Sequence, residues 1–67
     1  NRGYGQALME EILKTARRQG FSRVYLHAQL SAMVFYQRLG FAAFGEVFDD
    51  AGIAHRAMDR RLPQEAP

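Results

Sequence analysis

Two Gly-Phe pairs, Gly20-Phe21 and Gly40-Phe41, each close a stretch of helical periodicity and so divide the chain into alternating helix and strand. A glycine just past the last helical turn takes the left-handed backbone that other residues avoid, and an apolar residue after it folds back on that turn. Ahead of the first pair, Leu8, Ile12 and Ala16 stand four apart, and Met9 and Leu13 widen the stripe. This spacing predicts a helix from about Gln6 to Gln19. Glu10 and Glu11 near its start, with Lys14, Arg17 and Arg18 near its end, suit the helix dipole, and Glu10 with Lys14 makes an i,i+4 pair. Ahead of the second pair, Ala32, Phe35, Tyr36 and Leu39 form the apolar stripe of a shorter helix, with Ser31 as its N-cap. The recurrence of Gly-Phe is turn chemistry rather than an internal repeat.

Between and after the helices the pattern is that of strands. Arg23 to Ala28 is β-branched and aromatic, with Val24, Leu26 and Ala28 on one face and Tyr25 and His27 on the other. Both faces are largely apolar, which suits a strand covered on both sides. Ala43 to Phe48 and Ile53 to Asp59 flank Asp49-Asp50-Ala51-Gly52, a turn in which Gly52 can take positive φ. The order is loop, helix, strand, helix, strand, strand. The class is α/β (α+β), with a mixed sheet ending in an antiparallel hairpin. Residues 1–62 read as one domain region without a linker, and residues 63–67 as a disordered polar tail.

Composition narrows the functional classes. No apolar run reaches the roughly 18 to 20 residues that cross a bilayer, so no membrane partner is expected. Cysteine is absent, which leaves no disulfide framework and no thiolate metal site. Nothing at the start reads as a signal peptide, and the chain is expected to be soluble and cytoplasmic. Nine Lys plus Arg against seven Asp plus Glu, net +2, is too small and too dispersed for a nucleic-acid surface. At 67 residues without staples, the chain would be marginal alone.

The opening residues carry the chemistry. Gly3 and Gly5 stand directly before the first helix, where unpaired N–H groups and a partial positive charge collect. Glycines there let a bulky anion approach the backbone, Arg2 adds a charge, and Ala7 leaves room in the first turn. These features fit a phosphate or pyrophosphate cradle, and the same spacing also fits a plain turn into a helix. No Gly-Lys-Ser/Thr follows, and Leu8 stands where a dinucleotide fingerprint needs its third glycine.

Two segments in register resemble the GCN5-related N-acetyltransferase (GNAT) family. Arg2-Gly3-Tyr4-Gly5-Gln6-Ala7 is similar to its acetyl-CoA signature R/Q-x-x-G-x-G/A, with Arg2, Gly5 and Ala7 at the defining positions. Ala32-Met33-Val34-Phe35-Tyr36-Gln37-Arg38-Leu39-Gly40-Phe41 is similar to its A-x-x-φ-Y-x-x-x-G-F segment. Leu26 to Gln29 and Gly45 to His55 look most like the ElaA-like branch. The resemblance covers about residues 2–60 and implies the C-terminal half of an acyl-CoA N-acyltransferase fold. Its activity would be direct transfer of acetyl from acetyl-CoA to a primary amine, in a ternary complex.

The resemblance also assigns roles. Arg2, Gly3, Tyr4, Gly5, Gln6 and Ala7 would hold the CoA pyrophosphate, Gln29 would meet the pantetheine arm, and Tyr36 would give a proton to the leaving thiolate. Tyr36 also fits a plain core aromatic. The resemblance names no base; from the hairpin pattern itself His55 and Glu46 are candidates, since facing strands bring them near the cleft, and His27 on the central strand is expected to pack under a helix. No metal is implied. The partners would be a small-molecule or peptide amine and the N-terminal half of the fold, or another protomer in its place. The 67 residues alone would be inactive. The alternative is a non-catalytic module that joins another chain through its sheet edge, with Tyr25, Phe44 and Phe48 at the interface.

Overall fold

The computed structural model describes residues 3–64. In chain order they form helix α1 (Tyr4–Arg18), strand β1 (Arg23–Gln29), a 3-10 turn (Leu30–Ala32), helix α2 (Met33–Arg38), strand β2 (Ala42–Asp50) and strand β3 (Ile53–Arg61). This is the expected order of elements with shifted ends. Two compact units result, Asn1–Val24 with Arg61–Pro67, and Tyr25–Arg60.

In the first unit, α1 begins two residues before the expected Gln6, because Gly3 at φ 86° serves as its N-cap. The earlier start leaves no acidic residue in the first turn. Glu10 and Glu11 therefore lie beyond the reach of the N-terminal dipole. The expected Glu10–Lys14 pair does not form either. Gln6 donates to the Glu10 carboxylate at 3.4 Å, and Lys14 pairs with Glu11 at 3.6 Å. Both charged side chains are exposed, so that pair contributes little.

The apolar stripe of α1 is only partly covered. Leu13 is buried and Met9 and Ala16 are half-buried, whereas Leu8 and Ile12 remain exposed. The apolar arc is wider than its neighbours among the described residues can cover. Leu62 is buried in the same unit, with its N–H donating to the Ser22 carbonyl at 2.9 Å. Gln64 donates to the carbonyls of Phe21 and Leu62, so the segment expected to be a loose tail is hydrogen-bonded as far as residue 64. Residues 65–67 of that tail lie outside the described residues.

Both Gly-Phe stops form as the spacing dictates. Gly20 donates to Arg17 O and Phe21 to Ala16 O, each at 3.0 Å. Gly40 donates to Gln37 O and Phe41 to Tyr36 O, again at 3.0 Å. This paired pattern satisfies carbonyls that a helix end leaves open, and it needs the left-handed glycines found here at φ 87° and 89°. The apolar contact that accompanies it is explicit in the second case, where the Tyr36 and Phe41 rings meet edge to face at 5.8 Å. Arg60 adds a charged cap, its Nη1 donating to Leu39 O at 2.9 Å.

In the second unit the sheet order is β1-β3-β2, so β3 is the middle strand. The buried residues of this unit are Ala28, Leu39, Phe41 and the fully enclosed Met58. On β1, Ala28 is buried and Leu26 half-buried, while Tyr25 and His27 are exposed. The expectation that both faces of β1 are covered thus fails among the described residues. The second helix also departs from expectation. Ser31 lies inside the 3-10 turn, and α2 starts after Ala32 with no side-chain cap.

β2 and β3 form the expected antiparallel hairpin, longer at both ends. Ala43 pairs with Met58 and Phe44 with Ala57, and then the register shifts so that Phe48 faces His55. Gly45 at φ 75°, Glu46 and Val47 make a bulge in β2, and the Arg56 Nε donates to Gly45 O at 2.8 Å. At the hairpin tip Asp50 pairs with Ile53, which leaves a two-residue turn of Ala51 and Gly52 at φ 53° and 80°. Such turns favour Asn-Gly, and an alanine there carries left-handed strain of roughly 1–2 kcal/mol. We therefore expect Ala51→Asn to raise the denaturant midpoint, by about 0.5–1 kcal/mol of stability, with an unchanged slope. A lowered midpoint would show that Ala51 holds this turn through some other contact.

Candidate functional site

The opening segment is a first helical turn rather than the loop that its glycines suggest. Gly3 is left-handed, and Tyr4, Gly5 and Gln6 are already helical. The amides of a first turn have no acceptor within their own helix. Those of Tyr4, Gly5 and Gln6 therefore point out of the helix end. Ala7 differs, because its N–H donates to Gly3 O at 2.8 Å. Ala7 can thus supply space but not an amide to an anion. Residues 3 to 7 are all exposed, and a Cβ placed on Gly3 would meet nothing within 4 Å. Arg2, the charged member of the expected cradle, lies outside the described residues.

In the second unit, Tyr36 sits in the middle of α2. Its half-buried ring is held edge to face by Phe35 at 5.0 Å and by Phe41 at 5.8 Å. The neighbouring rings fix the phenol plane, so removing the hydroxyl leaves the packing intact. Gln29 ends β1, is exposed, and turns the chain into the 3-10 segment with φ −59° and ψ 143°.

The two candidate bases are not brought together. The hairpin register sets Phe48, not Glu46, opposite His55, and Glu46 sits exposed in the bulge. Among the described residues no helix covers His27. It is exposed on the open face of β1, edge-on to Phe48 at 5.0 Å and to Tyr25 at 6.1 Å. The half-buried His55 lies nearly parallel to the Phe48 ring at 5.8 Å. Its Nδ1 is 2.8 Å from the carbonyl of Ile53.

Sequence reasoning missed this row of rings, and it missed the bulge that moves Phe48 into it. The lone Gly45 inside a strand pattern was the signal available for the bulge. Among the described residues no group of three or more His, Cys, Asp and Glu stands together as a metal site, and no helix is long and apolar enough to cross a membrane.

Residues 1–62 match a family model described as an acetyltransferase (GNAT) domain. An uncharacterized acetyltransferase in the arcA 3′ region of Streptococcus pyogenes is 34% identical over 50 residues, which are 75% of this chain and 34% of that protein. Among solved structures, an acyl-CoA N-acyltransferase from Pseudomonas aeruginosa is 39% identical, with a TM-score of 0.83 over 90% of this chain and 41% of its own. Escherichia coli ElaA is 36% identical, with a TM-score of 0.81 over 90% of this chain and 42% of its own. The chain thus spans about a third of the curated relative and about two-fifths of the solved ones.

Proposed function

Because this chain belongs to the acetyltransferase (GNAT) domain family and shares the acyl-CoA N-acyltransferase fold, we propose that it carries the acetyl-CoA side of an N-acetyltransferase site. The reaction is direct attack of a primary amine on the thioester within a ternary complex. The amine is borne by a small molecule or a peptide. The observation that carries the reading is the first turn of α1, where exposed glycine-flanked amides at a helix N-terminus suit the diphosphate of CoA.

On this reading, Tyr4, Gly5 and Gln6 donate their N–H groups to the pyrophosphate, Gly3 and Ala7 leave room for it, and Arg2 adds charge. Gln29 meets the pantetheine arm. Tyr36 gives its hydroxyl proton to the departing thiolate, acting as the general acid. Holding amine and thioester together supplies much of the rate. The family supports an acyl-CoA donor, and acetyl is our choice among acyl groups. Since the chain spans about two-fifths of the solved relatives, turnover on this reading draws on the rest of the fold.

The competing idea of a non-catalytic module joined through its sheet edge finds less support. β2, one of the two strands that bound the described sheet, carries a bulge and ends in Asp49-Asp50, both of which discourage strand addition along that edge.

Amide hydrogen exchange tests the cradle in the protein that carries this chain. We expect acetyl-CoA to slow exchange at Tyr4, Gly5 and Gln6, and S-acetylpantetheine, which lacks the pyrophosphate, not to. Ala7 should be protected with or without ligand, because its amide is bonded inside the helix. Equal slowing by both compounds would remove the cradle assignment.

A further inference from the structure

We propose that His55 is the general base that deprotonates the acceptor amine, with Nε2 as its working atom; this rests on the acetyltransferase reading above. A backbone carbonyl can only accept a hydrogen bond. The 2.8 Å contact between His55 Nδ1 and Ile53 O therefore requires the proton on Nδ1. In the neutral ring this leaves the Nε2 lone pair as the basic site. The strand's own backbone thus selects the tautomer, and the Phe48 ring, stacked on the imidazole at 5.8 Å, fixes its plane.

The position of the ring also fits the task. Phe48 bridges His55 to His27, and His27 meets Tyr25, so four rings line one face of the sheet. Alternation along β1 puts Gln29 on the same face as Tyr25 and His27, about 7 Å beyond His27. If Gln29 meets the pantetheine arm, the ring-lined face adjoins the reacting end of the cofactor. Within this unit, the ionisable side chains that share this face by alternation are Tyr25 and His27 on β1, Asp50 on β2 and Asp59 on β3, with Glu46 in the bulge. His27 is the nearest comparable base, but it lies exposed on the outer strand, whereas His55 is half-buried on the middle one.

The step balances as follows. Nε2 takes a proton from R–NH3+, and the freed nitrogen pair attacks the thioester carbonyl carbon. The C–N bond forms and the C–S bond breaks, the electron pair leaving on sulfur. The nitrogen loses a second proton as the amide forms. One proton passes from the imidazolium to water. The other balances the hydroxyl proton that Tyr36 gives to sulfur, so that Tyr36 is restored.

The test uses the full protein that carries this chain, with release of CoA measured against tyramine, lysine methyl ester and spermidine. We expect His55→Gln to lower kcat/KM by roughly 10²- to 10⁴-fold at pH 7 while acetyl-CoA affinity is kept. The acidic limb of the wild-type pH profile, set by protonation of the base, should disappear in the variant. His27→Gln should keep that limb. A His55→Gln enzyme with wild-type kcat/KM and an intact limb would overturn the proposal while leaving the acetyltransferase reading in place. A wild-type protein that binds acetyl-CoA yet releases no CoA with any of the amines would overturn both. A second measurement does not depend on the variant folding. Nitrogen-15 spectra of the wild-type histidines above pH 8 should show His55 protonated at Nδ1, and protonation at Nε2 would sink the assignment.

Discussion

Tyr36→Phe is expected to lower kcat by roughly 10- to 1000-fold in the protein that carries this chain, with little change in the KM for acetyl-CoA. The substitution removes one hydroxyl and nothing else. The ring stays between Phe35 and Phe41, and the Tyr36 carbonyl still accepts the amides of Leu39 and Phe41, since those bonds belong to the backbone. Stability should therefore change little, and any loss of rate reports on proton transfer. The loss should be smaller for acyl donors whose thiol is more acidic, because such a leaving group needs less help. An unchanged kcat would return Tyr36 to the role of a packing aromatic, which its half-buried place on α2 also allows.

The second large effect is expected at Gly5. Gly5→Trp should abolish acetyl-CoA binding measured by calorimetry, while far-ultraviolet circular dichroism shows the helix retained. Gly5 is the second residue of α1, and tryptophan is a better helix former than glycine in that setting. The indole would stand over the amides of Tyr4 and Gln6 and exclude a diphosphate. Gly5→Ala is the milder control. Its single methyl should weaken binding less, and its helix should be somewhat more stable. Retained affinity in Gly5→Trp would mean that the cofactor approaches elsewhere.

The two variants probe different links. Gly5→Trp acts on ground-state binding and Tyr36→Phe on the chemical step. A result in which both moved KM alone would place Tyr36, like Gly5, in cofactor binding rather than in the chemical step.

Much of the fold was legible because its devices are local. Gly20-Phe21 and Gly40-Phe41 close their helices through hydrogen bonds spanning three and five residues, so the residues that make the stop lie side by side in the chain. The hairpin around Ala51-Gly52 is equally local, and its tip lies within the expected four residues. What local reasoning misplaced were helix starts. Gly3 caps α1 with left-handed backbone alone, and Ser31, a good N-cap by residue type, falls inside a 3-10 turn instead. A capping preference near 1 kcal/mol is easily overridden by the path the chain must take.

The order of helices and strands, the two helix stops, the hairpin and the paired motifs of the family follow from the residues alone, because each depends on neighbours within a few positions. Which flank of α1 is covered, how Met58 comes to be enclosed, where the Gly45 bulge is pinned by Arg56, and which rings meet on the open sheet face were decided only in three dimensions. The Arg56–Gly45 bond joins residues 11 positions apart, and the His27 and Phe48 rings meet from different strands. Their outcome turns on strand register, where a shift of one residue sends every side chain to the opposite face.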